Sequence, residues 1–267
     1  MKNYLKKMLF LLFAALIVLP GCTSVEKLVD QGDYDAAIER AKRYLTGKKK
    51  PNPKYIYALR DALEAANDRD LRRAADLKNR GGSTDWSRVY DLYAKIDRRQ
   101  EGVRSLLPLV DKHGIQSEVK FVRVEPFLVE ARNNAAGQAY ARGMEALQAG
   151  RSGDKAAARA AFRAFSDTRR YLSNYRDVVA RQNEAEALGI VYVTVEVTNE
   201  ARAFLPAGME RELLRVDTRR LDDQWRRYHL DRRAGVNYDF TARLEIQNVQ
   251  VSPERITERA FTETKEI

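Results

Sequence analysis

The sequence predicts an α+β protein, with helical hairpins over residues 22–188 and a small C-terminal α/β domain over residues 189–267. Three observations carry this. Between Val25 and Leu188 the chain is dominated by Ala, Leu, Arg, Glu and Lys, and glycine and proline fall mainly between the periodic segments. From Val191 the spacing changes. Val191, Val193, Val195 and Val197 alternate with Tyr192, Thr194, Glu196 and Thr198, a period of two in β-branched residues that suits a strand. Ahead of both, residues 1–21 form a basic and then apolar leader.

The leader sets the address. Lys2, Lys6 and Lys7 precede a continuous apolar run from Met8 to Leu19, and small residues follow, which is the layout of a secretory signal peptide. A membrane-spanning helix needs about 20 apolar residues to cross a hydrocarbon core of roughly 30 Å, and this run is too short. Leu19-Pro20-Gly21-Cys22 resembles the bacterial lipobox, with Pro20 in place of the usual small residue. The resemblance implies cleavage before Cys22 and lipidation of its thiol. It also implies a mature chain held to a bacterial envelope membrane by acyl chains, palmitate among them. Thr23 and Ser24 follow, with no Asp beside the cysteine. By resemblance to Gram-negative sorting, that implies the outer membrane, with the body in the periplasm. Cys22 is the only cysteine. Once lipidated it leaves neither a disulfide nor a thiol nucleophile, so the body must be held by its hydrophobic core.

Composition narrows the partners. Charged residues make up 32% of the chain and the formal net charge is +10, of which three charges sit in the leader. A basic balance is a mark of nucleic-acid binding, but an exported, lipidated protein rarely meets nucleic acid. Anionic lipid headgroups are the better match, beside the plain reading of an arginine-rich solvated surface.

In chain order, Val25 to Asp30 is a short helix and Gly32 allows a tight turn after it. Gln31-Gly32-Asp33-Tyr34-Asp35-Ala36-Ala37-Ile38-Glu39-Arg40-Ala41, continuing to Tyr44 and Leu45, is similar to the second half of a tetratricopeptide repeat (TPR). The resemblance implies packing roles for Gly32, Tyr34, Ala37 and Ala41, with Ala41 and Leu45 continuing the Ala37 face. Gly47 ends the helix and Lys48 to Pro53 is a basic link. Tyr55 to Asn79 reads as a long helix on Leu59, Ala62, Leu63, Ala66, Leu71, Ala74 and Ala75, closed by Gly81-Gly82. Asp85 caps a further helix whose stripe is Trp86, Val89, Tyr93 and Ile96, ended or kinked at Pro108. Val119 to Val124 is either a short strand or a loop. Phe127 to Leu147 is helical, with Ala131, Ala135, Ala139, Gly143 and Leu147 every four residues. Asp154 caps a partner helix carrying Ala158, Ala161, Phe162, Phe165 and Leu172, so small residues on one helix face phenylalanine on the next. Tyr175-Arg176-Asp177 opens a third helix to Leu188. This makes two or three hairpins, spaced less regularly than repeats of about 34 residues.

After the strand at Val191, Leu205 to Tyr228 reads as one or two helices. Val236 to Ile246 alternates as a second strand. A phase flip places a bulge near Asn248, with a turn at Ser252-Pro253-Glu254 and a returning strand from Arg259 to Thr264. The pattern resembles the small α/β domains of lipoproteins related to the curli secretion lipoprotein. The whole layout resembles TPR lipoproteins of Gram-negative envelopes, which implies a protein-interaction scaffold or adaptor. An unfinished sheet, completed by Val119 to Val124 or by a partner chain, implies instead a structural subunit or assembly factor of an envelope complex.

No catalytic constellation emerges. Gly150-Arg151-Ser152-Gly153-Asp154-Lys155 lacks the phosphate-loop spacing and a preceding strand, and reads as a turn. His113 and His229 lack zinc-ligand spacing. Glu184 and Glu186 point apart on a helix. The reading is therefore no enzyme, no cofactor, no metal and no small-molecule substrate. The membrane and an unidentified envelope protein are the expected partners. Arg226, Arg227, Arg232 and Arg233 form the densest basic patch, a candidate headgroup surface or a solvated helix end.

Overall fold

A computed structural model describes residues 24–80, 84–200, 208, 212, 220–230 and 232–247. The leader and Cys22 lie outside the described residues. So do most of the expected helical stretch from Leu205, the bulge near Asn248, the turn at Ser252 and the strand at Arg259 to Thr264.

The described chain is α+β, mostly helical with a small sheet. Its first hairpin is built from local chemistry. The Ser24 hydroxyl accepts from the Lys27 amide at the start of α1 (Val25–Asp30). Gly32 turns the chain at φ +76°, a left-handed conformation that costs glycine little. Asp33 then caps α2 (Tyr34–Leu45) by accepting from the Ala36 amide at 3.3 Å. Asn52 caps α3 (Pro53–Asn79), with proline at the first helical position, where its missing N–H is not needed. Asp85 caps α4 (Trp86–Arg104), accepting from the Arg88 amide. A hairpin of two short antiparallel strands follows, β1 (Leu109–Val110) and β2 (Gln116–Ser117). Residues 119–124 form a loop rather than a strand. Gln100 takes the backbone N–H and carbonyl of Val122, so a side chain occupies the groups that a ladder would need. Three helices come next: α5 (Glu125–Arg151), α6 (Lys155–Tyr171) and α7 (Val178–Gly189).

The sheet is parallel, in the order β4-β3-β5, with β3 (Val191–Asn199) between β4 (Arg226–His229) and β5 (Phe240–Ile246). Here the helical expectation for Leu205 to Tyr228 is corrected at its end, because residues 226–229 pair with Val191 to Thr194 as a strand. The three-residue spacing of Trp225 and Tyr228 looks helical in isolation. The Trp225 carbonyl instead accepts from the Val191 amide at 2.8 Å, and its ring meets Phe162 edge-on at 5.2 Å. Tertiary pairing outweighs a local propensity of a few tenths of a kcal/mol per residue.

The chain divides into two compact units, Met1–Ala141 with Asp167–Arg176, and Arg142–Ser166 with Asp177–Ile267. In the first, a core of Ile56, Leu59, Leu63, Ala37, Ile38, Ala41 and Val103 joins the early helices, and a second cluster gathers Ala74, Val89, Tyr93, Ile96, Val124 and Ala131. In the second unit Gly143 lets α5 and α6 approach so closely that a Cβ there would lie 2.5 Å from the buried Phe165 ring.

Candidate functional site

Two features of the first unit stand out: a buried ion network and the groove beside it. The network begins with residues that interrupt apolar stripes. On α3 the stripe Leu59, Leu63, Ala66 and Ala74 passes through Asn67 and Asp70, and on α4 the stripe Val89, Tyr93, Ile96 and Val103 passes through Arg99 and Gln100. All four polar residues are buried. An unpaired charge in such a place costs several kcal/mol, so each must find a partner.

They find one another. The Arg99 guanidinium donates to the Asp70 carboxylate at 2.7 Å, to the Asn67 side-chain oxygen at 2.8 Å, and to Asp35 of α2 at 2.9 and 3.0 Å. Lys95 donates to Asp35 at 2.7 Å. Arg69 donates to Asp35 at 3.3 Å and to the Gly32 carbonyl at 3.4 Å. Burial pushes the Asp35 carboxyl up, but Lys95 and Arg99 outweigh that and hold it below the usual aspartate range. One guanidinium thus locks α2, α3 and α4 together, and Gln100 extends the lock to the 119–124 loop.

The groove, of about 440 Å³, runs between the C-terminal half of α3 and the N-terminal half of α4. Arg73, Asp76, Leu77 and Arg80 line it from the α3 side, at the spacing of one helical face. Arg88, Asp91, Leu92 and Lys95 line it from α4. Two leucines form an apolar floor, and four cations stand against two carboxylates. Arg80 has no acidic partner among the described residues, whereas Arg88 reaches Asp85 at 3.3 Å and Lys95 belongs to the network. What these groups offer chemically is recognition through positive charge around an apolar floor. Among the described residues no group of three or more side chains is placed to hold a metal ion.

The residues singled out from sequence are placed as follows. Cys22 lies outside the described residues. Gly32 forms the turn, Tyr34 opens α2 under the Arg69 guanidinium at 5.3 Å, and Ala37 and Ala41 are fully buried. The four arginines of the C-terminal patch fall on a strand and a loop. Arg226 pairs with Asp223 at 3.3 Å, and the Arg227 guanidinium donates to the Arg226 and Asp223 carbonyls. Arg232 reaches Glu196 at 3.5 Å and lies over the Tyr238 ring, while the Arg233 backbone donates to the Tyr238 hydroxyl at 3.0 Å. Nearby, His229 Nδ1 lies 2.7 Å from the same hydroxyl. Burial and then Arg233 hold its imidazole below the ordinary value.

Lys155, from the sequence that mimics a phosphate loop, has a structural duty. Its ammonium donates to the Ile190 carbonyl and pairs with Asp239 at 3.0 Å, binding the start of α6 to the sheet. No protein-family model, no curated protein and no solved structure matches this chain.

Proposed function

We propose that this protein is a lipid-anchored scaffold or adaptor of a bacterial envelope, and that it holds a partner protein in the α3–α4 groove. The single observation that carries the binding role is the groove itself, where Leu77 and Leu92 lie among an excess of cations, and where Lys95 is held by Asp35 of the buried network. It suits a partner segment with an apolar side chain flanked by carboxylates. The lipobox-like Leu19–Cys22 supports the anchor, and the tight turn at Gly32 with Ala37 and Ala41 buried against α3 supports a TPR-like hairpin.

The test is site-specific photocrosslinking in intact cells. A photoreactive amino acid in place of Leu92 should yield a discrete adduct, and one in place of the exposed Arg98 should not. Charge reversal, Arg80→Glu with Arg88→Glu, should remove the Leu92 adduct. An absence of adducts from both Leu77 and Leu92 positions would defeat the groove as the binding site.

A further inference from the structure

The opening of the first unit has a surface of another kind. Lys48, Lys49 and Lys50 are exposed in the loop after α2, and Arg40 and Arg43 lie on the helix leading into it. None of the five has an acidic partner among the described residues. Tyr44, 45% exposed, stacks on Tyr55 at 4.3 Å and lines an open hollow with Arg40 and Arg43.

The β1–β2 turn joins this surface. The Lys112 amide donates to the Pro51 carbonyl at 3.0 Å, which sets the turn beside Lys50. The Asp111 carboxylate fixes the turn by accepting from the His113 and Ile115 amides at 2.8 and 2.9 Å. Where the turn enters β2, Ile115 is 58% exposed. Cations, an aromatic ring and an aliphatic side chain therefore share one face.

That face also adjoins the start of the mature chain. Lys54, next to Tyr55, pairs with Glu26 in the first turn of α1 at 3.7 Å. Ser24 caps α1, two residues from Cys22, and two residues reach at most about 7 Å.

We infer that this face lies on an anionic phospholipid surface, with Lys48–Lys50 and Lys112 among the headgroups and Tyr44 and Ile115 at the interface. The inference rests on the reading of Cys22 as lipidated. The short tether selects lipid over an acidic protein, because it leaves α1 and the face beside it no room to stand away from the bilayer. Each basic side chain near an anionic leaflet adds about fivefold in affinity, and amphipathic rings favour the headgroup level.

The test uses the full chain, processed and lipidated in a bacterial host and reconstituted into phosphatidylcholine vesicles with or without phosphatidylglycerol. Lipidated Cys22 cannot react with a thiol probe, so one introduced cysteine takes an environment-sensitive dye. Ile115→Cys reports from the face, and Thr46→Cys gives a second position there should the first disturb the turn. Arg80→Cys, at the far end of α3 and about 39 Å from Lys54, is the control.

Dye emission should rise at residues 115 and 46 only with phosphatidylglycerol and should fall back in high salt, where the screening length shrinks to about 3 Å. It should stay unchanged at residue 80. Reversing Lys48, Lys49 and Lys50 to Glu should cost about 100-fold or more in headgroup affinity and return the signal to its phosphatidylcholine level. A protein retained on the vesicles but silent at residues 115 and 46 would overturn the face while leaving the anchor intact. A protein that washes off plain phosphatidylcholine would overturn the anchor, and the inference with it.

Discussion

Arg99 is the residue on which the first unit turns. Its side chain is 4% exposed and faces a fully buried Asp70 carboxylate. Removing one member of such a pair costs more than the pair contributes, because the survivor is a buried charge. Arg99→Met should therefore destabilise the protein by about 3 kcal/mol, at the low end for a broken buried pair because Arg69 still reaches Asp70 at 3.3 Å. The urea midpoint is the measurement, and a loss below about 1 kcal/mol would mean that the Arg99–Asp70 pair does not hold the three helices together. Asp35 adds a pH signature. Its carboxyl is held below the usual aspartate value of 3.8, so its stabilisation is complete above that value and is lost as pH falls through the lower folded value. Asp35→Asn should flatten the fall of stability below about pH 4, which acid titration of the folded fraction would show. The sequence signal for this site was present: Asp70 and Arg99 sit on apolar stripes. It is easily read past, because Asp97-Arg98-Arg99-Gln100-Glu101 has the look of a solvated charge run.

Between elements, Gly143 of α5 packs tightly against Phe165 of α6. An added methyl would fall at 2.5, 2.7 and 2.9 Å from three ring atoms, and the ring is fully buried and cannot swing into solvent. Alanine is worth up to about 1 kcal/mol over glycine inside a helix, while overpacking costs about 1–3 kcal/mol. Gly143→Ala should lower stability by about 1–2 kcal/mol, and Phe165→Leu in the same chain should restore part of it. A stabilised single variant in thermal unfolding would show that the helices separate freely there. This contact follows from sequence, since small residues every four positions on one helix meet phenylalanine on the next. The β4 strand does not follow from sequence. Arg226 to His229 has too few residues to show a period, and its pairing with Val191 to Thr194 joins segments far apart in the chain. Gly189 belongs with it: a Cβ there would lie 2.7 Å from the Trp225 ring, a neighbour that only the folded sheet supplies.

For the molecule as a whole, the proposed address rests on four residues, Leu19 to Cys22. Cys22→Ser should abolish palmitate labelling and leave a soluble or unprocessed chain. Label retained by that variant would contradict the lipid anchor. If the label is lost, the two binding readings divide the first unit by position. The groove occupies the far half of α3, while the basic face surrounds its beginning, nearest the tether. The two surfaces are thereby set apart along a helix of 27 residues, about 40 Å long.

By itself the sequence determined the helices, their caps and the switch from helix to strand at Val191, because these depend on neighbours a few residues apart. The turn at Gly32, the caps at Asp85 and Asp154 and the close approach at Gly143 are of this kind. Only the tertiary structure decided which polar residues became the buried network, which strand lay beside β3 and which cations shared a face with Tyr44 and Ile115. Asp35, Asp70 and Arg99 lie on three helices, and the 111–115 turn is brought beside Lys50 by the bond from the Lys112 amide to the Pro51 carbonyl. A charge reads as solvated until the fold removes its water, and that desolvation is a property of the packed helices rather than of any stretch of the chain.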